Sequence, residues 1–191
     1  MIVLHGKGDS FRPFKNFDQE LKLFDFNFLL LNAPKKFLTG YSWYGDPPYI
    51  ESGVLRTRLG MFVLLNDLEK QGWDPKNIFL LGFSQGCLIS ADFALNYPKT
   101  LGGFIGISGY FHFFSRWKNH IPPKAKKTPW LLTHGTRDDV LPIEDTRYGV
   151  KKLKAAGMKI DWSESDKKHV FKEYEYALIR KWIKSKNRIP L

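Results

Sequence analysis

The sequence predicts an α/β fold in which a mostly parallel sheet is flanked by helices on both faces. Short apolar runs alternate with amphipathic stretches along the whole chain. The apolar runs also lack the in–out alternation of a strand that has one face in water. A chain of 191 residues can bury a sizeable core and fits one domain, so we expect a single domain over residues 1–191.

The individual elements follow from local pattern. Strands are predicted over 1–4, 26–31, 78–83, 103–107, 130–133 and 158–162. Helices are predicted over 14–24, 52–73, 87–96, 143–156 and 170–186. The helix over 52–73 has the clearest signal, because its apolar residues recur at helical spacing until Gly72 and Pro75 end it. Residues 35–49 are predicted to form a loop, because two glycines and two prolines interrupt them.

Apolar run length, the first residues and the cysteine count indicate the cellular compartment. No apolar run approaches the roughly 18–20 residues that cross a bilayer. The first residues show neither a charged n-region nor a small-residue cleavage site, so we expect no secretory signal. A single cysteine, Cys87, excludes an internal disulfide and a cysteine-based zinc site. We therefore expect a cytoplasmic location.

The charge is strongly basic and uneven. The formal net charge is +11, and no acidic residue lies between Phe93 and Arg137. Such a field suits an anionic membrane surface or nucleic acid, or it only keeps the protein in solution. Because no nucleic-acid motif accompanies the charge, we expect no nucleic-acid partner, whereas a transient anionic membrane surface stays open. The oligomeric state does not follow from the sequence.

Residues 82–86 read Gly-Phe-Ser-Gln-Gly and lie directly between a predicted strand and a predicted helix. This is the G-x-S-x-G pattern in the strand–turn–helix context that exposes a nucleophilic serine. The turn crowds the backbone on both sides of Ser84, so that a Cβ at Gly82 or Gly86 would clash. We expect Ser84 to be a nucleophile at a helix N-terminus, where a developing anion is favoured.

An activated serine needs a base, which in this architecture follows the serine in the chain. His5 precedes Ser84, and His134 lies inside a predicted strand end. His169 follows every plausible acid and lies in the polar loop between the last predicted strand and the last helix. We therefore predict that His169 is the base.

The base needs an acid that orients it, placed in the loop after the preceding strand. That loop contains Asp138 and Asp139 side by side. One of them can orient the imidazole while the other caps the turn or the coming helix. Local chemistry leaves both assignments open.

Two backbone N–H groups must face the developing oxyanion. One is expected from Gln85, the residue after the serine. The other is expected from the loop over 5–10, where glycines on both sides of Lys7 let its amide turn toward the site. We expect His5 to pin this loop by hydrogen bonding.

Four segments together carry a family resemblance. They are LHGKGDS (4–10), GFSQG (82–86), HGTRDDVLP (134–142) and the loop around His169. In this order they resemble the acyl-protein thioesterase group, also called the phospholipase/carboxylesterase family of α/β-hydrolases. Ser42-Trp43-Tyr44 is also similar to the Trp–aromatic step before the acyl-binding loop of that family. The resemblance spans essentially the whole chain.

The resemblance implies an α/β-hydrolase fold in a minimal form without a cap domain. It also implies hydrolysis of carboxylic esters or acyl thioesters through an acyl-enzyme, with no metal or organic cofactor. The family pattern H-G-x-x-D-x-x-V/L-P puts the acid on Asp138. It puts the second oxyanion amide on Lys7, where the family usually has an apolar residue; the role is a backbone one. After Ser108 the chain departs from the family, because an aromatic run replaces the usual Leu-Pro step.

Aromatic residues on predicted loops are the candidates for substrate binding. They are Trp43, Tyr44, Tyr110 and Phe111, followed by further rings up to Trp117. Bulky rings at the mouth of the site suit an apolar acyl chain, and packing beneath a long loop is the alternative. We expect a small acyl ester, thioester or lysophospholipid as substrate. The alternative functions are a lactone or peptide hydrolase with the same triad, and a non-catalytic binder of anionic surfaces.

Overall fold

The computed structural model of the protein describes residues 1–111 and 120–186. Its strands are β1 (Ile2–Leu4), β2 (Leu29–Leu31), β3 (Lys35–Phe37), β4 (Gly40–Ser42), β5 (Phe79–Phe83), β6 (Gly103–Ile107), β7 (Pro129–Gly135) and β8 (Lys159–Ser165). Its helices are α1 (Phe17–Leu21), α2 (Ile50–Lys70), α3 (Gln85–Asn96), α4 (Ile143–Ala155) and α5 (Glu173–Lys186).

A six-stranded sheet has the order β2-β1-β5-β6-β7-β8, and each neighbouring pair in it is parallel. The predicted α/β class is confirmed. Because the carboxyl ends of parallel strands lie at one edge of a sheet, the loops after β1, β5, β7 and β8 open onto the same edge. These are the loops on which the sequence places its candidate site residues.

Helices cover both faces of this sheet, as predicted. Successive residues of a strand point to opposite faces. Accordingly Phe79 and Leu81 join the apolar cluster of α1 and α5, whereas Leu80 joins the cluster of α2, α3 and α4. Within the described residues, none of the helices combines the length and apolar character that crossing a membrane requires.

The prediction of a loop over 35–49 is wrong in its first part, where β3 and β4 form an antiparallel hairpin. Tyr41 of this hairpin exchanges backbone hydrogen bonds with the loop after β1: its N–H donates to Asp9 and its carbonyl accepts from Gly8, both at 2.8 Å. A Cβ on Gly40 would collide with the Gly8 and Asp9 carbonyls. The glycine that reads as a loop signal is needed here for a close approach of two backbones.

Element ends differ from the prediction where the chain turns or pairs beyond the apolar run. The helix predicted over 14–24 is shorter, because Lys22 adopts a left-handed conformation with φ of 51° and ends it. In contrast, β8 runs on to Ser165, because it pairs with β7 along its whole length. The last helix begins at Glu173, later than predicted.

Gly86, at the start of α3, offers a test of the backbone packing beneath this edge. A Cβ on Gly86 would collide with the Leu4 carbonyl oxygen at the end of β1. We expect Gly86→Ala to lower the free energy of unfolding by about 1–3 kcal/mol, because backbone must move to admit the methyl group. Urea unfolding followed by circular dichroism measures the change.

The matched control is Gly60→Ala in the middle of α2. Nothing lies within 4 Å of a Cβ at Gly60. Alanine is favoured over glycine in a helix interior, so this variant should gain about 0.5–1 kcal/mol. Equal stability changes in the two variants would contradict the close packing at Gly86.

Candidate active site

Ser84 occupies a sharp turn between β5 and α3. Its φ is 53° and its ψ is −117°, a conformation that a residue with a side chain adopts at a cost of about 1–3 kcal/mol. A hydrogen bond from the Ser84 N–H to the Ile107 carbonyl, at 2.9 Å, holds the turn. The turn also requires glycine at position 82, because a Cβ there would collide with the Gly86 carbonyl. The strained turn presents the hydroxyl of Ser84 at the start of a helix.

The structure brings the side chains of Ser84, His169 and Asp138 together. His169 Nε2 lies 2.9 Å from Ser84 Oγ, and His169 Nδ1 lies 2.8 Å from Asp138 Oδ2. A carboxylate only accepts hydrogen bonds, so Nδ1–H donates to Asp138 and Nε2 of the neutral ring accepts from the serine hydroxyl. Phe83 packs beside the imidazole, with 5.1 Å between ring centroids.

The carboxylate of Asp138 is fully buried and held in its ionised form. Burial on its own would raise the pKa of Asp138, but hydrogen bonds from the Leu141 N–H, His169 and the Val140 N–H outweigh it, so the pKa lies below its ordinary value. Asp139, the competing acid, points to solvent and lies 3.4 Å from Lys168. Asp138 therefore contacts His169, whereas Asp139 pairs with Lys168.

The loop after β1 passes directly beside Ser84. A Cβ on Gly6 would lie only 3.3 Å from the Cβ of Ser84. His5 fixes the loop through both ring nitrogens: Nδ1 donates to the Gly6 carbonyl at 2.7 Å, and Nε2 accepts from the Ala33 N–H at 3.0 Å. Lys7 follows next in this loop, beside the elbow.

Gln85 is the first residue of α3, and the first N–H groups of a helix have no acceptor within the helix. Lys7 and Gln85 are thus the neighbours in sequence of Gly6, which approaches the Ser84 Cβ, and of Ser84 itself.

The aromatic candidates differ in what they contact. Trp43 is only 3% exposed, and its Nε1–H donates to the His5 carbonyl at 2.8 Å. Tyr44 is also buried, and its hydroxyl lies 2.8 Å from that of Tyr110. Phe111 stacks on Trp130 of the core. The remaining rings of the aromatic run, up to Trp117, lie outside the described residues.

Comparison with known proteins decides the family. The sequence pattern of the phospholipase/carboxylesterase family matches residues 1–187. The chain belongs to the phospholipase/carboxylesterase family of α/β-hydrolases. The resemblance that the four motifs carry is thereby confirmed, and the protein is a hydrolase of the carboxylesterase and acyl-thioesterase type.

Individual relatives of this hydrolase agree with the family. Carboxylesterase SOBER1 of Arabidopsis thaliana is 31% identical over 202 residues, which span 96% of this chain and 89% of that protein. Its crystal structure matches with a TM-score of 0.90 over 97% of both chains, at 30% identity. Acyl-protein thioesterase 1 of Emericella nidulans is 37% identical over 110 residues, 56% of this chain and 46% of that protein.

The sequence interpretation missed a second histidine beside Asp138. His134, at the end of β7, is fully buried, and its Nε2 lies 2.9 Å from the Leu141 carbonyl and 3.2 Å from Asp138 Oδ2. Because both neighbours are acceptors, the proton of the neutral ring is on Nε2. The available signal was its spacing, four residues before Asp138 at a strand end.

The side chain of Gln85 was also missed, because the sequence interpretation used only its amide. The buried Oε1 accepts from the Trp43 N–H at 2.8 Å, and Nε2 donates to the Tyr44 carbonyl at 3.2 Å. This side chain ties the elbow to the segment after β4. The same segment is reached by Lys7, whose Nζ donates to Asp46 at 2.6 Å.

The two buried histidines make the stability of the hydrolase depend on pH. Burial is the main cause that lowers the pKa of His5 and of His134 below the ordinary 6.5, and it outweighs their hydrogen bonds to the Gly6 and Leu141 carbonyls. The unfolded chain therefore binds more protons once the pH falls below about 6.5. The free energy of unfolding should decrease there by up to about 1.4 kcal/mol per pH unit for each histidine.

Urea unfolding between about pH 7.5 and pH 5.5 measures this slope. His134→Gln, which removes one of the two buried histidines, should show a shallower slope than the wild type. An unchanged slope in this variant would contradict the assignment to His134.

Proposed function

We propose that this hydrolase cleaves carboxylic esters and acyl thioesters through an acyl-enzyme formed on Ser84, with His169 as general base and Asp138 as the acid that orients it. The observation that carries the proposal is the continuous chain of hydrogen bonds from Ser84 Oγ through His169 to Asp138, at 2.9 and 2.8 Å. Nucleophile, base and orienting group in this sequence are what serine-dependent acyl transfer requires.

In the first step Ser84 Oγ attacks the acyl carbonyl carbon while His169 Nε2 accepts the hydroxyl proton. The π electrons of the carbonyl move to its oxygen, and the backbone N–H groups of Lys7 and Gln85 donate to that oxyanion. Asp138 stabilises the imidazolium that forms. The tetrahedral intermediate then collapses, the C–O or C–S bond breaks, and the leaving group takes the proton from His169.

Water completes the cycle by the same route. His169 Nε2 removes a proton from the water that attacks the acyl-Ser84 carbonyl, and the second oxyanion binds the same two amides. Collapse releases the carboxylic acid, and Ser84 Oγ regains its proton from His169. The proton that the leaving group takes from Ser84 is replaced by one from water, and His169 carries both, so the proposal requires no cofactor.

We propose that the substrate acyl chain lies against the rings that surround the elbow. Tyr110 follows the Ser108–Gly109 turn, where a Cβ on Gly109 would lie 3.6 Å from the Ser84 carbonyl oxygen. The hydroxyl pair of Tyr44 and Tyr110 supplies a polar group within this apolar surface. Trp43 and Phe111 support these rings from the core.

The cytoplasmic location, the single domain and the absence of a nucleic-acid partner stay predictions from the sequence.

Hydrolysis of p-nitrophenyl esters from acetyl to palmitoyl, and of an acyl thioester, tests the proposed function. The wild type should turn over both classes, with a chain-length optimum set by the aromatic surface. Ser84→Ala should lower kcat by at least about 10³-fold, because no other group replaces the nucleophile. A folded wild type without turnover, whose salt-dependent binding to anionic surfaces survives Ser84→Ala, would support the non-catalytic alternative instead.

Two neighbouring carboxylates provide a matched pair of control variants. Asp138→Asn should lower kcat by about 10⁴-fold, because an amide in place of the carboxylate favours the wrong tautomer of His169. Asp139→Asn should change kcat by less than about twofold, since an exposed ion pair with Lys168 contributes little. The reverse pattern would assign the acid to Asp139.

We also propose a transient contact between the β3–β4 hairpin and an anionic membrane surface. Leu38 at its tip is 87% exposed and follows the exposed Lys35 and Lys36. An apolar side chain beside cations suits a layer of anionic headgroups. Leu38→Asp should weaken co-sedimentation with anionic vesicles, whereas Leu59→Asp on the exposed face of α2 should not. Equal binding of the wild type to neutral vesicles would contradict the proposal.

A further inference from the structure

Lys167 and Glu175 form an ion pair in the interior, close to His169 but outside the proposed triad. Both side chains are fully buried. Lys167 lies in the seven-residue loop 166–172 between β8 and α5, two residues before His169, and Glu175 lies in the first turn of α5. Charged residues are rarely buried so completely unless they are paired.

Each polar atom of the pair has defined partners. Lys167 Nζ donates to both carboxylate oxygens of Glu175, at 2.8 and 2.9 Å, and to the Val170 carbonyl at 3.0 Å, which uses all three of its protons. Glu175 also accepts from the Thr133 hydroxyl at 2.6 Å and from the Lys172 N–H at 2.9 Å. The pair therefore binds the chain on both sides of His169.

The same residues tie this loop to the strand and the loop that carry the acid. Thr133 belongs to β7. The end of this strand packs so closely against Lys167 that a Cβ on Gly135 would collide with the Lys167 carbonyl. That carbonyl accepts from the Arg137 N–H at 3.2 Å, one residue before Asp138. The base and the acid are thus fixed relative to each other through Lys167.

A contribution to the stability of the fold does not by itself explain why such a pair is buried. Removing two charges from water costs several kcal/mol for each ion, and apolar residues of similar volume often leave a protein as stable or make it more stable. Hydrogen bonds from one buried centre to several segments instead fix a geometry, since each bond has a narrow range of length and angle. The segments fixed here are those that determine where the imidazole lies.

We propose that Lys167 and Glu175 are positioning residues that hold the His169 ring in register with Ser84 and Asp138. The inference rests on the proposed function, because it assigns the pair a role in the same reaction. Neither residue touches the substrate, so both act through His169. Loss of the pair should therefore misplace the His169 ring and reduce transition-state stabilisation, while substrate binding stays unchanged.

The test is the double variant Lys167→Met/Glu175→Leu, which replaces both charges with apolar groups of similar size and leaves no charge unpaired. With p-nitrophenyl butyrate well below the melting temperature of each variant, we expect kcat to fall about 10- to 100-fold with KM unchanged. If the double variant does not fold, Glu175→Gln keeps the shape of the side chain but offers only one acceptor oxygen. It should show the same fall in kcat at constant KM.

The control is the ion pair between α2 and α3, in which Asp92 is buried and Arg58 is partly exposed. Arg58 of α2 binds Asp92 of α3 through two hydrogen bonds at 2.6 and 2.9 Å, so the pair joins two helices and belongs to neither the loop of Asp138 nor that of His169. Arg58→Met/Asp92→Leu should keep the wild-type kcat even where its stability changes. Wild-type kcat in the Lys167/Glu175 variants, or an equal fall in the control, would overturn the inference. A wild type inactive on every ester would instead contradict the proposed function.

Discussion

The end of β1 lies at contact distance from the turn between β5 and α3, and the geometry of the site depends on that contact. The end of β1 lies so close to Gly86 that a Cβ has no room, and the next residues of the β1 loop pass beside the Cβ of Ser84. The contact follows from the topology, because β1 and β5 are neighbours in the sheet. Ser84 has a positive φ of 53° at this contact, and the β1 loop that contains Lys7 begins there. One steric constraint therefore aims the hydroxyl and brings the proposed oxyanion donors together.

A second constraint is electrostatic and lies on the other side of the imidazole. The buried Asp138 carboxylate accepts two backbone N–H groups and the His169 ring, and a second histidine ring faces it. These hydrogen bonds keep the negative charge in place. The buried Lys167–Glu175 pair lies at the same carboxyl edge and is neutral as a unit. Directional hydrogen bonds, rather than net charge, thus determine the surroundings of the base.

Much of the fold could be predicted, because apolar runs and helical periodicity are local signals. These signals predict the six parallel strands and the helices on both faces of the sheet. Four short motifs indicate the family. The β3–β4 hairpin escaped because its strands have three residues each and Gly40 reads as a turn residue. Lys167 and Glu175 escaped for a different reason. Charged residues in a polar loop and on a helix read as surface, and their burial arises only from the packing of β7, β8 and α5. The distance from His169 to Ser84 likewise joins residues 85 positions apart, which no local pattern encodes.

The position of β8 in the sheet has a consequence for how activity responds to partial opening. This strand ends the six-stranded order, so one of its sides has no strand partner among the described residues, and the loop that follows it carries His169. Edge elements open in local fluctuations that cost less free energy than global unfolding. Opening of β8 and α5 removes the imidazole while the elbow and the β1 loop stay folded around the central strands. On the proposed mechanism, turnover should therefore report on the local stability of this edge of the molecule and be lost in dilute denaturant before the core melts.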